Sequence, residues 1–449
     1  MGKPVPLTPS QSDLYLADRA ADDPTTYHVA LAYRVEGALD ETELRARFER
    51  LLAAHPMLAA HVVESSEGWF FAPADHTPGL HVSTVPLDAD SPLAARRIRQ
   101  ECWRPMDPAR GPLLRVVLLR YPNHRADLVV VAHHLIVDET SAELVARWLL
   151  AGEEVPAAQT FADWGAGTGL TTERSARAAE LQDELTTADL TPGLDWAAPS
   201  VEEDRTGGAI GELRLSADLL KQVRTLAAGL RVTPHSLMSA AAALVFGRNS
   251  RAVRPVLGAT VSRRTPRHAR AVGYFNSTVL IPFDLGERQT VAGFLRAAHA
   301  RSVQAYRDAD LPLSAVLPKT AGEGPRLVVV PTASLPTITT GTARCTPHAA
   351  LDLGTAQFPL ALYLRHDSEG LHGLLRYQRA RVSASAAARF CRQVETAVAA
   401  FVTDPDATLA EIAPALCMDL PQPTRAPAVP DLSIPELFAR HAASDPDRI

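Results

Sequence analysis

A chain of 449 residues is too long for one compact core, and two lobes or domains are expected. Hydrophobic residues make up 46% and charged residues 21%, ordinary for a soluble globular protein, and a net charge of −6 without a block of Lys and Arg gives no basis for nucleic-acid binding. Four scattered cysteines without a Cys-x-x-Cys pair argue against a structural zinc site or disulfide framework and fit a reducing cytoplasm, and no apolar run approaches membrane-spanning length.

Residues 6–19 read as an extended entry followed by a short helix, and residues 28–35 alternate as a strand. Asp40 with Glu43 has the form of a capping box, and Leu44, Phe48, Leu51 and Leu52 supply the apolar face of the next helix. Strands over 58–63 and 69–71 form a predicted hairpin turning at Ser65-Ser66-Glu67-Gly68. A helix over 91–103, a strand over 113–119 and a turn at Tyr121-Pro122-Asn123-His124 lead to the β-branched run Val129-Val130-Val131. That run delivers His133 and His134 into a short loop closed by Asp138 and Glu139. Thr140 reads as the N-cap of the following helix, with Glu143 as its capping-box partner and Leu144, Val145 and Trp148 as its apolar stripe.

Residues 151–199, broken at Gly165-Ala166-Gly167-Thr168-Gly169, read as a connection between lobes. The second half repeats the element content of the first. Strands are expected over 210–215, 255–261, 272–283, 327–332, 358–364 and 371–377, and helices over 217–230, 234–246, 291–306 and 383–402. It carries no second His-His-x-x-x-Asp, so one catalytic centre is expected. Residues 421–430 read as a proline-rich linker and 433–441 as an amphipathic helix. The chain then stops inside an element, as a piece cut from a longer polypeptide would.

A strand–His–loop–Asp–helix unit holds an imidazole stiffly at the end of an element, beside the free N–H groups of a helix start. That arrangement suits a general base next to a place where negative charge develops. On this pattern alone, a hydrogen-bonded polar cluster under a loop is an equally good account of the two histidines and the aspartate.

The wider pattern resembles the condensation domain of nonribosomal peptide synthetases, in the chloramphenicol-acetyltransferase-like superfamily. His133, His134 and Asp138 match its His-His-x-x-x-Asp-Gly signature. Leu7-Thr8-Pro9-Ser10-Gln11 with Leu14-Tyr15, then His55-Pro56-Met57-Leu58, are similar to its opening motifs. Met106-Asp107-Pro108 with Gly111-Pro112-Leu113-Leu114-Arg115 is similar to the run before the histidine strand, and Phe161-Ala162-Asp163-Trp164 to the motif at the lobe connection. Residues 258–264, Gly273-Tyr274-Phe275-Asn276-Ser277-Thr278 and Asp310-Leu311-Pro312-Leu313 are similar to second-lobe motifs, and 433–447 to the opening of an adenylation domain.

This resemblance implies an α/β fold of two acetyltransferase-like lobes, a V-shaped pseudo-dimer with the active site in a tunnel between them. Residues 1–170 would form the N-terminal lobe, 171–420 the C-terminal lobe, and 421–449 a linker and the start of a truncated adenylation domain. It implies amide formation by attack of a carrier-bound amine on a carrier-bound acyl or aminoacyl thioester, with His134 as base or as the group orienting the amine. His133 should point into the lobe as a structural support, and Asp138 should pair with an arginine, Arg264 first and Arg115 second. The N–H groups of Glu139 and Thr140 would face the oxyanion, and Ser277 and Trp164 would line the tunnel or the lobe junction. No metal or bound cofactor is implied, since phosphopantetheine arms carry the substrates. Expected partners are donor and acceptor peptidyl carriers and the adjoining adenylation domain. With only residues 1–5 before the first motif, a native start at Met1 would bring the donor carrier in trans, whereas a start set by cloning leaves its origin open; a cytoplasmic monomer is expected. The other readings are a coenzyme A-dependent acyltransferase and a non-catalytic recruiting domain of the same fold.

Three positions depart from the family pattern. Glu139 stands where the signature has glycine, Pro282 where an arginine is expected, and Asp13 where a basic residue is usual. At Glu139 the alternatives are a carboxylate that contacts the acceptor and a side chain that turns to solvent.

Overall fold

The computed structural model describes residues 4–153, 161–200, 206–319, 323–341, 343–348, 351, 353–366 and 371–417. The expected linker, terminal helix and adenylation start lie outside these residues. Strands and helices follow in the order β1 (Val5–Pro6), α1 (Pro9–Arg19), β2 (His28–Glu36), α2 (Glu41–Ala54), β3 (Ala60–Ser65), β4 (Gly68–Pro73), β5 (Leu80–Thr84), α3 (Pro92–Trp103), β6 (Leu114–Tyr121), β7 (Arg125–His133) and α4 (Glu139–Ala151). Next come α5 (Phe161–Gly165), α6 (Thr172–Thr186), β8 (Gly208–Leu215), α7 (Ala217–Leu230), α8 (Pro234–Ser250), β9 (Val256–Ser262), β10 (Asn276–Pro282), α9 (Val291–Arg307) and α10 (Leu313–Val316). The last are β11 (Leu327–Thr332), β12 (Ile338–Thr340), β13 (Ala343–Pro347), β14 (Leu360–His366), β15 (Leu371–Gln378), α11 (Ala384–Thr403) and α12 (Leu409–Cys417).

Two six-stranded sheets, each with its own apolar core, make the two lobes. The first runs β12-β13-β2-β7-β6-β5 and the second β10-β9-β11-β14-β15-β8, while β1, β4 and β3 form a small third sheet. Within the first sheet β7 is central, antiparallel to β2 and β6. Its run from Ala126 to His133 is buried throughout, as expected of a strand covered on both faces. Helix α4 packs on β2 and against α2, and α3 packs on β7 and β2. The second sheet carries α11 on β8, with α8 and α9 alongside. Among the described residues no helix is long and apolar enough to cross a membrane.

The lobes are not cleanly successive in sequence. Strand β13 pairs antiparallel with β2, Cys345 opposite Val35, so β12 and β13 extend the first sheet although they lie between strands of the second. Residues 271–275 likewise bury Ala271, Val272, Tyr274 and Phe275 in the first core. Both stretches depart from the expectation that 171–420 forms the second lobe alone. The physical reason is the open edge of β2, which an antiparallel hairpin with inward Ile338, Ala343 and Cys345 closes. A buried ion pair fastens the graft: Asp127 on β7 accepts from Arg34 on β2 and is contacted by His348, just after β13, each at 2.7 Å.

Local capping follows the expected chemistry with two differences. Asp40 caps α2 through the N–H groups of Thr42 and Glu43, but the Glu43 side chain pairs with Arg47 and Arg50 and does not fold back to the cap. At α4 the cap is Asp138, not Thr140, because the Asp138 carboxylate reaches the N–H of Ser141 at 2.7 Å. The strand expected over 272–283 is shortened to β10: the N–H groups of residues 273 and 275 donate to the side chains of Ser141 and Asp138 in the first lobe, while the Phe275 carbonyl still accepts from the Arg263 N–H just past β9.

Two buried imidazoles tie the first lobe to acidity. The His28 ring on β2 hydrogen-bonds the Cys102 carbonyl through Nδ1 at 2.9 Å, and the His55 ring meets the Trp148 ring edge-on at 5.7 Å. Burial pushes both down to about 4. Their folded forms therefore bind fewer protons than the unfolded chain, so the stability they contribute is complete above about pH 6.5 and is lost as pH falls toward 4. For His28 this amounts to something on the order of 3 kcal/mol. His28→Asn keeps a donor for Cys102, and it is expected to flatten the decline in unfolding free energy between pH 6.5 and pH 4 measured by urea titration; an unchanged slope contradicts this.

Candidate active site

The loop after β7 is pinned on every side. The His133 N–H donates to the Leu113 carbonyl and the His134 N–H to the Tyr27 carbonyl, each at 2.8 Å. The buried Gln11 amide donates to the Leu135 carbonyl at 2.7 Å, and Gln11 is itself fixed by a reciprocal capping box with Thr8 at the start of α1. Gln11 lies in the opening motif quoted from the sequence, but its reach of 124 positions to Leu135 had no local signal.

The two histidines are oppositely committed. His133 Nδ1 accepts from the Leu135 N–H at 3.2 Å, which places its proton on Nε2, 3.1 Å from Asp18 Oδ1. His133 is fully buried and turned into the first lobe. His134 does the reverse: its Nδ1 lies 2.8 Å from the Val137 carbonyl, an atom that only accepts, so Nδ1 carries the proton. In the neutral ring Nε2 is then the bare nitrogen. The His134 ring stands edge-on to Tyr274 at 5.1 Å, and Nε2 lies 3.9 Å from Glu139 Oε1. Tyr274 arrives from the β9–β10 connection, and its hydroxyl is held well above the ordinary tyrosine range, by burial first and then by the Glu139 and Asp138 carboxylates.

Asp138 closes the loop and joins the lobes. It is 1% exposed, and Oδ1 accepts from the Ser141 N–H at 2.7 Å and from Arg264 Nη2 at 2.8 Å. Oδ2 accepts from the Phe275 N–H at 3.2 Å, and the Asp138 N–H donates to the Gly273 carbonyl at 3.1 Å. Ser141 Oγ donates to the Gly273 carbonyl at 2.6 Å and accepts from the Gly273 N–H at 2.9 Å. The Arg264 guanidinium lies over the Phe275 ring at 4.2 Å and donates to the Ala271 carbonyl at 2.6 Å. Gly273 has no substitute here, because a Cβ would run into the ring of Phe161.

The remaining expected site residues fall in different places. Of the two arginines considered for Asp138, Arg264 makes the pair. Arg115 serves the carbonyls of Glu101 and Arg104 and is pushed down to about 10 by burial, so it braces the end of α3. Trp164 sits at the lobe junction, 4.8 Å from the Phe275 ring and under the Arg263 guanidinium at 5.0 Å. Ser277 is 2% exposed on β10 with its Oγ unpartnered, on the same strand face as the core residues Val279 and Ile281 and one residue past the polar junction. Glu139, the first residue of α4, is half exposed, and its Oε2 accepts from Asn276 Nδ2 at 2.9 Å, across the lobes. Asn276, Tyr274 and Ser141 were not singled out in the sequence, although two of them belong to the quoted Gly-Tyr-Phe-Asn run.

As the first residues of α4, Glu139 and Thr140 present N–H groups that have no intrahelical acceptor, next to His134. The site thus combines a bare imidazole nitrogen, free backbone donors and a carboxylate at one junction. Among the described residues, no group of three His, Cys, Asp or Glu side chains is arranged to hold a metal ion. A cavity of about 40 Å³ lined by Leu181, Leu185, Leu280 and Leu311 lies elsewhere, with no residue of the histidine loop in its wall.

Comparison with known proteins gives a consistent picture. A family model described as the Condensation domain matches residues 2–415. Surfactin synthase subunit 2 of Bacillus subtilis (strain 168) is 24% identical over 432 residues, which cover 91% of this chain and 12% of that protein. The chain spans between 8% and 27% of the length of three such curated relatives. A four-domain nonribosomal peptide synthetase, holo-AB3403 bound to AMP and glycine, is similar in structure at a TM-score of 0.78 and 17% identity, over 91% of this chain and 34% of that one. The X-domain from teicoplanin biosynthesis matches at a TM-score of 0.78 and 17% identity, over 91% of this chain and 97% of that one.

Proposed function

The chain belongs to the condensation-domain family, and on that footing we propose that it joins an acyl or aminoacyl donor to an amine acceptor, both held as phosphopantetheinyl thioesters, by forming an amide bond. The observation that carries this reading is the state of His134. With Nδ1 committed to the Val137 carbonyl, Nε2 is left as the acceptor nitrogen at the lobe junction. As the amine attacks the thioester carbonyl, Nε2 takes a proton from it and passes that proton to the departing sulfur. The N–H groups of Glu139 and Thr140 hold the oxygen while it carries negative charge. His133 and Asp138 act through position, keeping the loop at one height against α1 and the second lobe.

The match to a subunit of a peptide synthetase and to a four-domain synthetase supports substrates delivered by carriers, not by coenzyme A. In this reading donor and acceptor peptidyl carriers and an adjoining adenylation domain are the partners, and no bound cofactor takes part. The setting is cytoplasmic, consistent with buried, unpaired Cys102, Cys345 and Cys391. The test is reconstitution with one loaded donor carrier and one loaded acceptor carrier, followed by mass spectrometry of the acceptor arm. A donor–acceptor adduct that depends on this chain is expected. Hydrolysed donor or unchanged acceptor across a panel of aminoacyl and acyl donors would overturn the proposal.

A further inference from the structure

Glu139 is more than a departure from a glycine. Its two oxygens are placed differently: Oε2 is tethered to Asn276 Nδ2 at 2.9 Å, while Oε1 lies 3.9 Å from His134 Nε2. That gap is too long for a direct hydrogen bond, so neither atom satisfies the other. A nitrogen placed above it, however, sits within hydrogen-bond distance, about 2.9 Å, of both at once. Among the described residues no arginine or lysine lies within 4.0 Å of the Glu139 carboxylate. The charged and titratable groups around it are His134 and Asp138 on the loop, Tyr274 before β10 and Tyr363 on β14, none of which offers it a fixed cation. Its side chain is half exposed, so a proton on it has a route to water.

We propose that Glu139 and His134 together receive the acceptor as an ammonium ion, with Glu139 Oε1 and His134 Nε2 as paired hydrogen-bond acceptors for its nitrogen. This rests on the amide-forming reading above. An amine near neutral pH arrives with one proton too many to attack, since α-amino groups titrate at about 7.7–8.0. Of the three protons on nitrogen, Glu139 takes one and releases it to water, His134 takes a second and delivers it to the leaving sulfur, and the third stays as the amide N–H. The C–N bond forms, the C–S bond breaks and the carbonyl is restored, so the products are amide, thiol and one proton in solvent. The acceptor class that this site selects is therefore a cationic amine, and a nucleophile that is already neutral draws no advantage from Glu139.

The experiment compares a glycyl and an aminooxyacetyl thioester on the same acceptor carrier, the first charged and the second uncharged at pH 7. The kcat/KM for each is measured with the wild-type protein and with Glu139→Gln, which keeps an oxygen for Asn276. The ratio of glycyl over aminooxyacetyl is expected to fall by about tenfold or more in the variant, and Glu139→Asp to restore part of it. A ratio within about twofold of wild type, whether both acceptors slow together or neither does, would overturn the role of Glu139 while leaving amide formation standing. Absence of product from the wild type with both acceptors would overturn both readings together.

Discussion

Replacing His134 with alanine is expected to lower single-turnover amide formation by about 10²–10⁴-fold. The fold should survive it. The ring is 7% exposed and its one hydrogen bond is to the Val137 carbonyl, so the variant loses about 1 kcal/mol for an unpaired acceptor, plus the packing against Tyr274. A melting curve close to that of the wild type together with a collapsed rate assigns the loss to chemistry and not to folding. Added imidazole separates the two ways in which the ring could act. Recovery of rate with imidazole marks proton transfer at Nε2, while failure to recover marks orientation of the amine. Undiminished product from the variant would remove His134 from the mechanism altogether.

Asp138→Ala is expected to have the largest effect on stability, about 3–5 kcal/mol, because it leaves the Arg264 guanidinium buried without its anion. The same change removes the N-cap of α4, worth about 1 kcal/mol of that loss, and frees the Phe275 N–H. The second variant, Arg264→Met, should cost a similar amount from the other side. The double variant should be less destabilised than the sum of the two, since each single change strands the other's charge. Urea unfolding of the three variants measures this coupling. Additive losses would mean that Asp138 and Arg264 stabilise the junction independently, contrary to the shared geometry of Ser141, Gly273 and Phe275 around them.

What could be read from the sequence was local or periodic. The buried run of β7, the apolar stripes of α2 and α11 and the turn between β3 and β4 each follow from neighbouring residues. Thr140 looked like the cap of α4 because threonine before an apolar stripe is a good cap. Asp138 takes the position because its carboxylate serves helix and second lobe at once, which no local window reveals. Residues 272–275 read as strand from their apolar character, yet the N–H groups of Gly273 and Phe275 are spoken for by Ser141 and Asp138, more than a hundred positions earlier. The contact of Glu139 with Asn276 spans 137 positions, so the sequence could raise the question of where that carboxylate points but not answer it. β12 and β13 are three and five residues long, too short for a periodic signal, and their partner lies near the other end of the chain.

That borrowed hairpin sets a timetable for synthesis. β2, β6 and β7 leave the ribosome early, but the strand that covers the outer edge of β2 follows roughly 200 residues after β7. At about 5–20 residues per second the edge stays uncovered for roughly 10–40 s, while the histidine loop already exists in outline. During that interval the nascent first lobe offers a bare strand to any other emerging chain, and on a polysome the nearest such chain is a copy of itself. The length of that interval is set by the translation of residues 133 to 338, and it ends only when β13 can pair with β2.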